Sequence, residues 1–370
     1  MERIRKFTKA QPVLVIAFLL AVATMFIVPP DKDYIGYCNR TVLIELFALM
    51  AAVAGLRSIG IFDKATRLIL QKAGNVRRLG TVMILICFFS AMLVTNDVAL
   101  ITFVPLTLLI YKNIKDERSL ILTVVLESAA ANLGSMMTPV GNPQNLFLYD
   151  KYGLTAMTFL KTMLPVGALG LAAVLGITLL LPKEKCKAPE PTKEKIPLLR
   201  TAVYTGLFLL CIAAVFRLVP DWVCLIAAVL AAVICDVKLL LRIDYVLLGT
   251  FICFFVFVGN IARIEVVSSF FSNILVGREL IVSALLSQFI SNVPAAVMLA
   301  EFTDKGTDPL LGVDIGGFGT IIASMASLIA FQLYRTSEGA ASKRYMMVFT
   351  AVNAVLLVLL LGFQLIIMKM

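Results

Sequence analysis

Apolar runs of about 17–25 residues follow one another along the chain, each long enough as a helix to cross a hydrocarbon core of roughly 30 Å at 1.5 Å per residue. They extend from Pro12 to Ile367, and with 60% hydrophobic and only 15% charged residues in 370 they leave no room for a soluble domain. The chain is therefore expected to be an all-α polytopic membrane protein. Its first run, "PVLVIAFLLAVATMFIVPP", follows "MERIRKFTK" without a small-residue cleavage site, so it is expected to stay as the first helix. A net charge of +10 is read as Lys and Arg collected in cytoplasmic loops, without a nucleic-acid partner. Seven Cys form no CxxC pair, and the chain has no His. Metal clusters and His proton carriers drop out, and proton work falls to carboxylates or Lys.

Spans are expected at about 12–28, 41–58, 119–149, 160–181, 201–219, 222–240, 245–262, 313–334 and 346–368, nine crossings with the N-terminus cytoplasmic. Two further apolar regions, near 80–110 and 280–303, are broken midway by polar residues. If each is a re-entrant hairpin, the flanking segments "DKATRLILQKAGNVRR" and "YKNIKDER" share one face, and most basic residues fall on the cytoplasmic side. Residues 1–182 then form a first repeat, with its hairpin entering from the cytoplasmic side. A cytoplasmic linker, 183–200, and a connecting helix, 201–219, lead to an inverted second repeat, 220–370, whose hairpin enters from outside. "TND" at 95–97 answers "SNV" at 291–293, and "GSMMTPVGNPQNLFLY" (134–149) aligns with "GTIIASMASLIAFQLY" (319–334), pairing Gly134 with Gly319 and Ser135 with Thr320. Inverted repeats of this kind place transport sites near the midplane on discontinuous helices.

"TPVGNPQN" cannot continue as regular helix, because Pro139 and Pro143 remove donors and Gly141 permits left-handed backbone. A break at membrane depth survives only inside protein or beside a cavity, and it leaves half-helix ends with free amides and carbonyls. Carbonyls and side-chain oxygens there can hold Na+, and amides and hydroxyls an anion. The candidates are Thr95, Asn96, Ser135, Thr138, Asn142, Gln144 and Asn145 in the first half, with Ser287, Gln288, Ser291, Asn292, Thr320, Ser324 and Ser327 in the second. Asp97 has three readings: proton carrier, cation ligand, or cap accepting from amides near Ala99 and Leu100. Glu127 is the next intramembrane acid.

"LVTNDVALITFVPLT", "ESAAANLGSMMTPVGNPQNLFLY", "SQFISNVPAAVMLAEFT" and "GGFGTIIASMASLIAF" resemble the ion transporter superfamily. It includes citrate-transporter-like and divalent anion:sodium symporters, the arsenite-pump membrane subunit and sodium/proton antiporter D. The sequence looks most like its YbiR-type anion permease branch. The resemblance covers nearly the whole chain and implies a homodimer of scaffold and transport domains working as an elevator. In the carboxylate symporters the tips read Ser-Asn-Thr. Carried over by position, Thr95, Asn96, Ser291 and Asn292 become cation and substrate groups, and the stretch from Gly134 to Asn145, with Ser135, Thr138 and Gly141, lies beside the first cation site. The third tip position departs from the pattern, being Asp97 in one half and Val293 in the other, which counts against a dicarboxylate.

The expected protein is thus an inverted-repeat secondary transporter of a small anion or oxyanion in a bacterial or archaeal cytoplasmic membrane. It needs no cofactor beyond Na+ or H+ as coupling ion, its partners are substrate and lipid, and it is not an enzyme. Thr95, Asn96, Asn142, Ser291, Asn292 and Thr320 are the substrate candidates. For the cation or proton they are Asn96, Asp97, Glu127, Gly134, Ser135, Thr138, Gly141, Asn145 and Asn292. The alternatives are a cation/proton antiporter using Asp97 and an arsenite-type permease.

Overall fold

The structure is a computed structural model that describes residues 11–71, 73–112, 114, 116–186 and 196–369. The basic N-terminal residues and half of the expected linker, 187–195, lie outside the described residues. The described residues form helices without a β-strand, save one isolated bridge between Asn75 and Lys185. Six helices are long and apolar enough to cross a membrane, and two shorter apolar helices, Pro12–Met25 and Asp221–Cys235, accompany them. The chain is a multi-pass membrane protein.

The order of elements repeats. The first series is α1 (Pro12–Met25), a single turn α2 (Tyr34–Tyr37), α3 (Arg40–Ser58), α4 (Ile61–Leu70), α5 (Val76–Val94), α6 (Asn96–Lys112), α7 (Glu117–Ser135), α8 (Pro143–Lys151) and α9 (Ala156–Ile177). After α10 (Leu198–Val215) come α11 (Asp221–Cys235), α12 (Tyr245–Ala262), α13 (Glu265–Leu275), α14 (Glu279–Ile290), α15 (Asn292–Leu299), α16 (Thr307–Gly316), α17 (Met325–Arg335) and α18 (Ser342–Ile367). In each series a short polar-sided helix, α4 or α13, precedes a helical hairpin, and a helix broken in two follows it.

Local chemistry sets where these helices start. Asn39, Asn75, Asp116, Thr155 and Asp244 each accept a backbone N–H of the first turn of α3, α5, α7, α9 and α12, satisfying one of the donors a helix start exposes. The helices that begin inside the molecule, α15 and α17, have no such side-chain cap. The amide end of α17 is left to the site.

Packing separates two groups of helices. α1 lies on α12, and α3 lies on α10 and α11. In the other group α5 packs on α7, α14 on α16, and the returning arms cross over: α6 rests on α17 and α15 on α8. Small residues permit the closest approaches. A Cβ on Gly134 would lie 2.0 Å from the carbonyl oxygen of Phe88, and one on Gly141 would lie 2.2 Å from that of Ser135. We expect Gly134→Ala to lower the stability of the detergent-solubilised protein by about 1–3 kcal/mol, read from thermal unfolding. Gly36→Ala, with open space around it, should leave the melting curve in place. At one end of the first group, Arg263 pairs with Asp31 at 2.7 Å, and the guanidinium hydrogen bond holds the Asp31 carboxyl below its ordinary range.

Three expectations need correction. The segment 59–79 is not all loop, because α4 occupies Ile61–Leu70, and α13 fills the matching place in the second half. α5 has 19 residues and is by itself long and apolar enough to cross a membrane, and the chain passes from it into α6 at the polar residues 95–97. The second broken helix spans Thr307–Gly316 and Met325–Arg335, beginning earlier than 313. The repeat pairing also shifts by three residues at the break, as the site contacts show.

Candidate functional site

Both hairpin tips have the same unusual backbone. Thr95 has φ 75° and ψ 152°, and Ser291 has φ 74° and ψ 154°. That region is essentially reserved for glycine and costs on the order of 1–3 kcal/mol per residue, so it persists only where the surroundings enforce it. The enforcing contacts are alike in the two repeats. Asn96 N donates to Gly141 O at 3.2 Å, and Asn292 N donates to Ala323 O at 2.9 Å. Thr138 Oγ1 donates to Met92 O, and Thr320 Oγ1 donates to Gln288 O. Each tip is therefore pinned to the break of its own repeat, with Thr320 answering to Thr138 and Ala323 to Gly141.

With that pairing, Asn132 on α7 corresponds to Asp314 on α16, and Asn142, which caps α8, corresponds to Ser324, which precedes α17. These residues bond across the repeats. Asn132 Oδ1 accepts from Asn96 Nδ2 at 3.1 Å and from Ser324 Oγ of the other repeat at 3.0 Å. Asp314 Oδ1 accepts from Asn142 Nδ2 and Gln144 Nε2 of the first repeat, both at 3.1 Å. Asn132 Nδ2 and Asp314 Oδ2 are each buried without a partner. The first tip, both breaks and the two central polar side chains thus form a polar ring in which each repeat completes the other, with the second tip pinned beside it through Ala323 O. No Lys or Arg among the described residues donates to it.

The first break is further braced. Asn145 Nδ2 faces the carbonyl oxygens of Ser135, Met136 and Thr138 at 3.3–3.4 Å, and Asn142 Oδ1 caps α8 by accepting Asn145 N at 2.9 Å. Asn145 Oδ1 has no partner. Each of those carbonyls keeps a second lone pair, so a cation here would share them with an amide. Ser135 Oγ, accepting from Asn142 Nδ2 at 3.3 Å, joins the brace to the ring.

The structure brings Asn96, Ser135, Gly141, Asn142, Asn145, Ser291 and Asn292 together with Thr95 and Thr138 at the edge. Gly134 serves the close approach of α7 to α5. Thr320 is exposed and bonded to Gln288, away from the ring. Glu127 bonds Thr107 instead. Asp97 caps nothing: its own N–H donates to Asn96 Oδ1 at 2.9 Å, and the Ala99 amide is taken by Thr95 O. Its Oδ1 is buried and unpartnered, so the capping reading fails because the tip backbone already satisfies those amides.

Asn132 and Asp314 escaped the sequence reading. Asn132 hides in the Ala-rich "SAAANLGS", and Asp314 stood one residue inside an expected span end, where an acid passes for interfacial. The signal that finds Asp314 is its corrected pairing with Asn132.

Three comparisons bear on this arrangement. The model of the citrate transporter family matches residues 4–305. The chain is 34% identical over 297 residues to an uncharacterized transporter, MJ0456 of Methanocaldococcus jannaschii, covering 79% of this chain and 80% of that one. It is 29% identical over 327 residues to the inner membrane protein YbiR of Escherichia coli K12, covering 85% and 86%. The fold is similar to the crystal structure of the Alcanivorax borkumensis YdaH transporter, with a TM-score of 0.58 at 14% identity, covering 90% of this chain and 88% of that one.

Proposed function

Because this chain belongs to the citrate transporter family, whose model spans most of its length, we propose that it is a secondary active transporter of a small anion or oxyanion, coupled to Na+ or H+. The observation that carries the reading is the ring of exchanged hydrogen bonds between Asn96, Asn132, Ser324, Asn142 and Asp314. The polar groups of both repeats lie together in the hairpin group, so that group can carry a bound substrate as one body against the rest, a form of alternating access around a fixed site. The ring offers amide and hydroxyl donors and the free amides at the start of α17 to an anion. It offers carbonyls, Asp314 and the nearby Asp97 to a cation.

Charge narrows the substrate. Two unit charges 4 Å apart interact by about 4 kcal/mol at an effective dielectric of 20, and the ring holds a carboxylate with no basic side chain beside it. A dianion such as a dicarboxylate is disfavoured, and a singly charged or weakly acidic oxyanion fits. The separate packing of α1, α3, α10, α11 and α12 is consistent with a scaffold beside which the hairpin group travels as an elevator. A homodimer joined through that scaffold suits the same motion. The buried, unpartnered Asp97 Oδ1 favours a second reading, cation/proton exchange.

Reconstitution into liposomes with imposed Na+ and pH gradients tests both, using citrate, phosphate and arsenite as probes. Uptake of at least one probe is expected to follow one gradient and to survive Asp97→Asn. Uptake indifferent to both gradients would sink symport. Proton flux driven by Na+ without any anion, and stopped by Asp97→Asn, would establish the exchanger instead.

A further inference from the structure

Glu127 is a buried acid that the ring does not use. It precedes Asn132 by five residues on α7, which at 100° and 1.5 Å per residue is roughly 140° around the helix and about 7.5 Å along it. The two side chains therefore leave α7 on different faces. Glu127 is fully buried, Thr107 donates to its Oε1, and Oε2 has no partner. Thr107 of α6 bonds the carboxylate, and the titratable groups near enough to feel its charge are Cys87 of α5, Tyr111 of α6 and Tyr345 of α18. None of them carries a positive charge.

A second pair of hydroxyls lies one helical turn nearer the surface on the same two helices: Tyr111 Oη and Thr123 Oγ1 are 2.8 Å apart, four residues from Thr107 on α6 and from Glu127 on α7. Tyr334 Oη donates to Glu117 Oε1 at 3.3 Å. Tyr111, Tyr334 and Glu117 line a cavity of about 690 Å³ with Lys112 and Glu338 at its rim. That cavity lies at the face expected to be cytoplasmic.

The other end of the contact is the hairpin. α6 begins at Asn96 and carries Thr107 eleven residues on, about 16 Å away but within roughly 20° of the same face. Pro105 interrupts the ladder between them, and the carbonyl of Ile101 that loses its donor there is met by the Arg57 guanidinium at 3.4 Å. One arm thus touches the ring at one end and the Glu127 carboxylate at the other.

We propose that Glu127 is a proton-carrying carboxylate, separate from the substrate ring and reached from the Glu117 cavity, which ties its protonation to the position of α6 through Thr107. Intramembrane acids with a hydroxyl path to one face are the material of proton relays. On release, the O–H bond at Oε2 breaks and the proton passes by way of water and the Tyr111–Thr123 hydroxyl pair to water in the Glu117 cavity. The anion left behind keeps the Thr107 hydroxyl on Oε1. Loading is the reverse. The role of that proton as a driving ion rests on the transporter reading, whereas the site itself does not.

Infrared difference spectroscopy of the full-length protein in detergent, scanned across neutral pH in light and heavy water, reads the site without any substrate. A protonated-carboxyl C=O band that comes and goes with pH is expected, absent in Glu127→Gln and shifted but present in Thr107→Val. Tyr111→Phe should slow its hydrogen exchange several-fold. Spectra of Glu127→Gln and Thr107→Val that both match the unaltered protein would overturn the proposal. Proton movement reported by a trapped pH dye, with arsenite or citrate as the probe, is read separately. A Glu127 band in a protein that moves no anion would keep the site and discard transport, while transport with no such band would discard the site alone.

Discussion

Asn96→Ala and Asn292→Ala are each expected to abolish anion flux in liposomes while the protein still folds and elutes as the unaltered chain does. Folding survives because each tip is pinned by its backbone amide, to Gly141 O and Ala323 O, and alanine keeps that bond. Function does not survive, because the side chain is what reaches the ring. Without Asn96 Nδ2, the Asn132 side chain is left with Ser324 alone. A stranded buried amide costs about 1–3 kcal/mol, which at 1.4 kcal/mol per decade is about tenfold to a hundredfold in affinity before any geometric loss is counted. Asn292 is buried, its Oδ1 accepts from Ser291 Oγ at 3.5 Å, and its Nδ2 lies beside Gly317 of the second break, so its amide is left for the substrate. Residues in one network do not add, and Asn132→Ala combined with Asn96→Ala should be no worse than Asn96→Ala alone. Full flux in both tip variants would remove the tips from the site.

The tips show why part of this protein was legible in its sequence. An apolar run admits no amide without a reason, so "TND" and "SNV" announced themselves by composition alone, and the prolines of "TPVGNPQN" announced the first break. All nine expected spans contain a helix or a broken pair of helices. The second break has no proline, and pairing the repeats on Gly319 and Thr320 sets them three residues out of register, nearly one helical turn. That slip hid the equivalence of Asn132 and Asp314. α4 escapes for a different reason: four of its ten residues, Asp63, Lys64, Thr66 and Arg67, are polar, and they break up any apolar run. The contact between Asn132 and Ser324 joins residues far apart in the chain, and no local pattern encodes it.

Asp314 provides the sharper test, because its two substitutions should part company. Asp314→Ala strands the amides of Asn142 and Gln144 in a buried site, at about 1–3 kcal/mol each, so thermal stability and flux should fall together. Asp314→Asn keeps an oxygen for both donors and turns the second repeat into a copy of the first, where the same position is Asn132. Its stability should stay close to that of the unaltered protein. Its flux should nevertheless drop at least about tenfold, because a carboxylate at membrane depth costs about 2.5–3.5 kcal/mol, and a chain that carries one where its own repeat uses an amide is spending that energy on the charge. A flux as high in Asp314→Asn as in the unaltered protein would reduce Asp314 to a brace between the repeats. The coupling ion would then have to be held by the tip and break oxygens alone, with Glu127 as the remaining buried acid bonded to a hairpin arm.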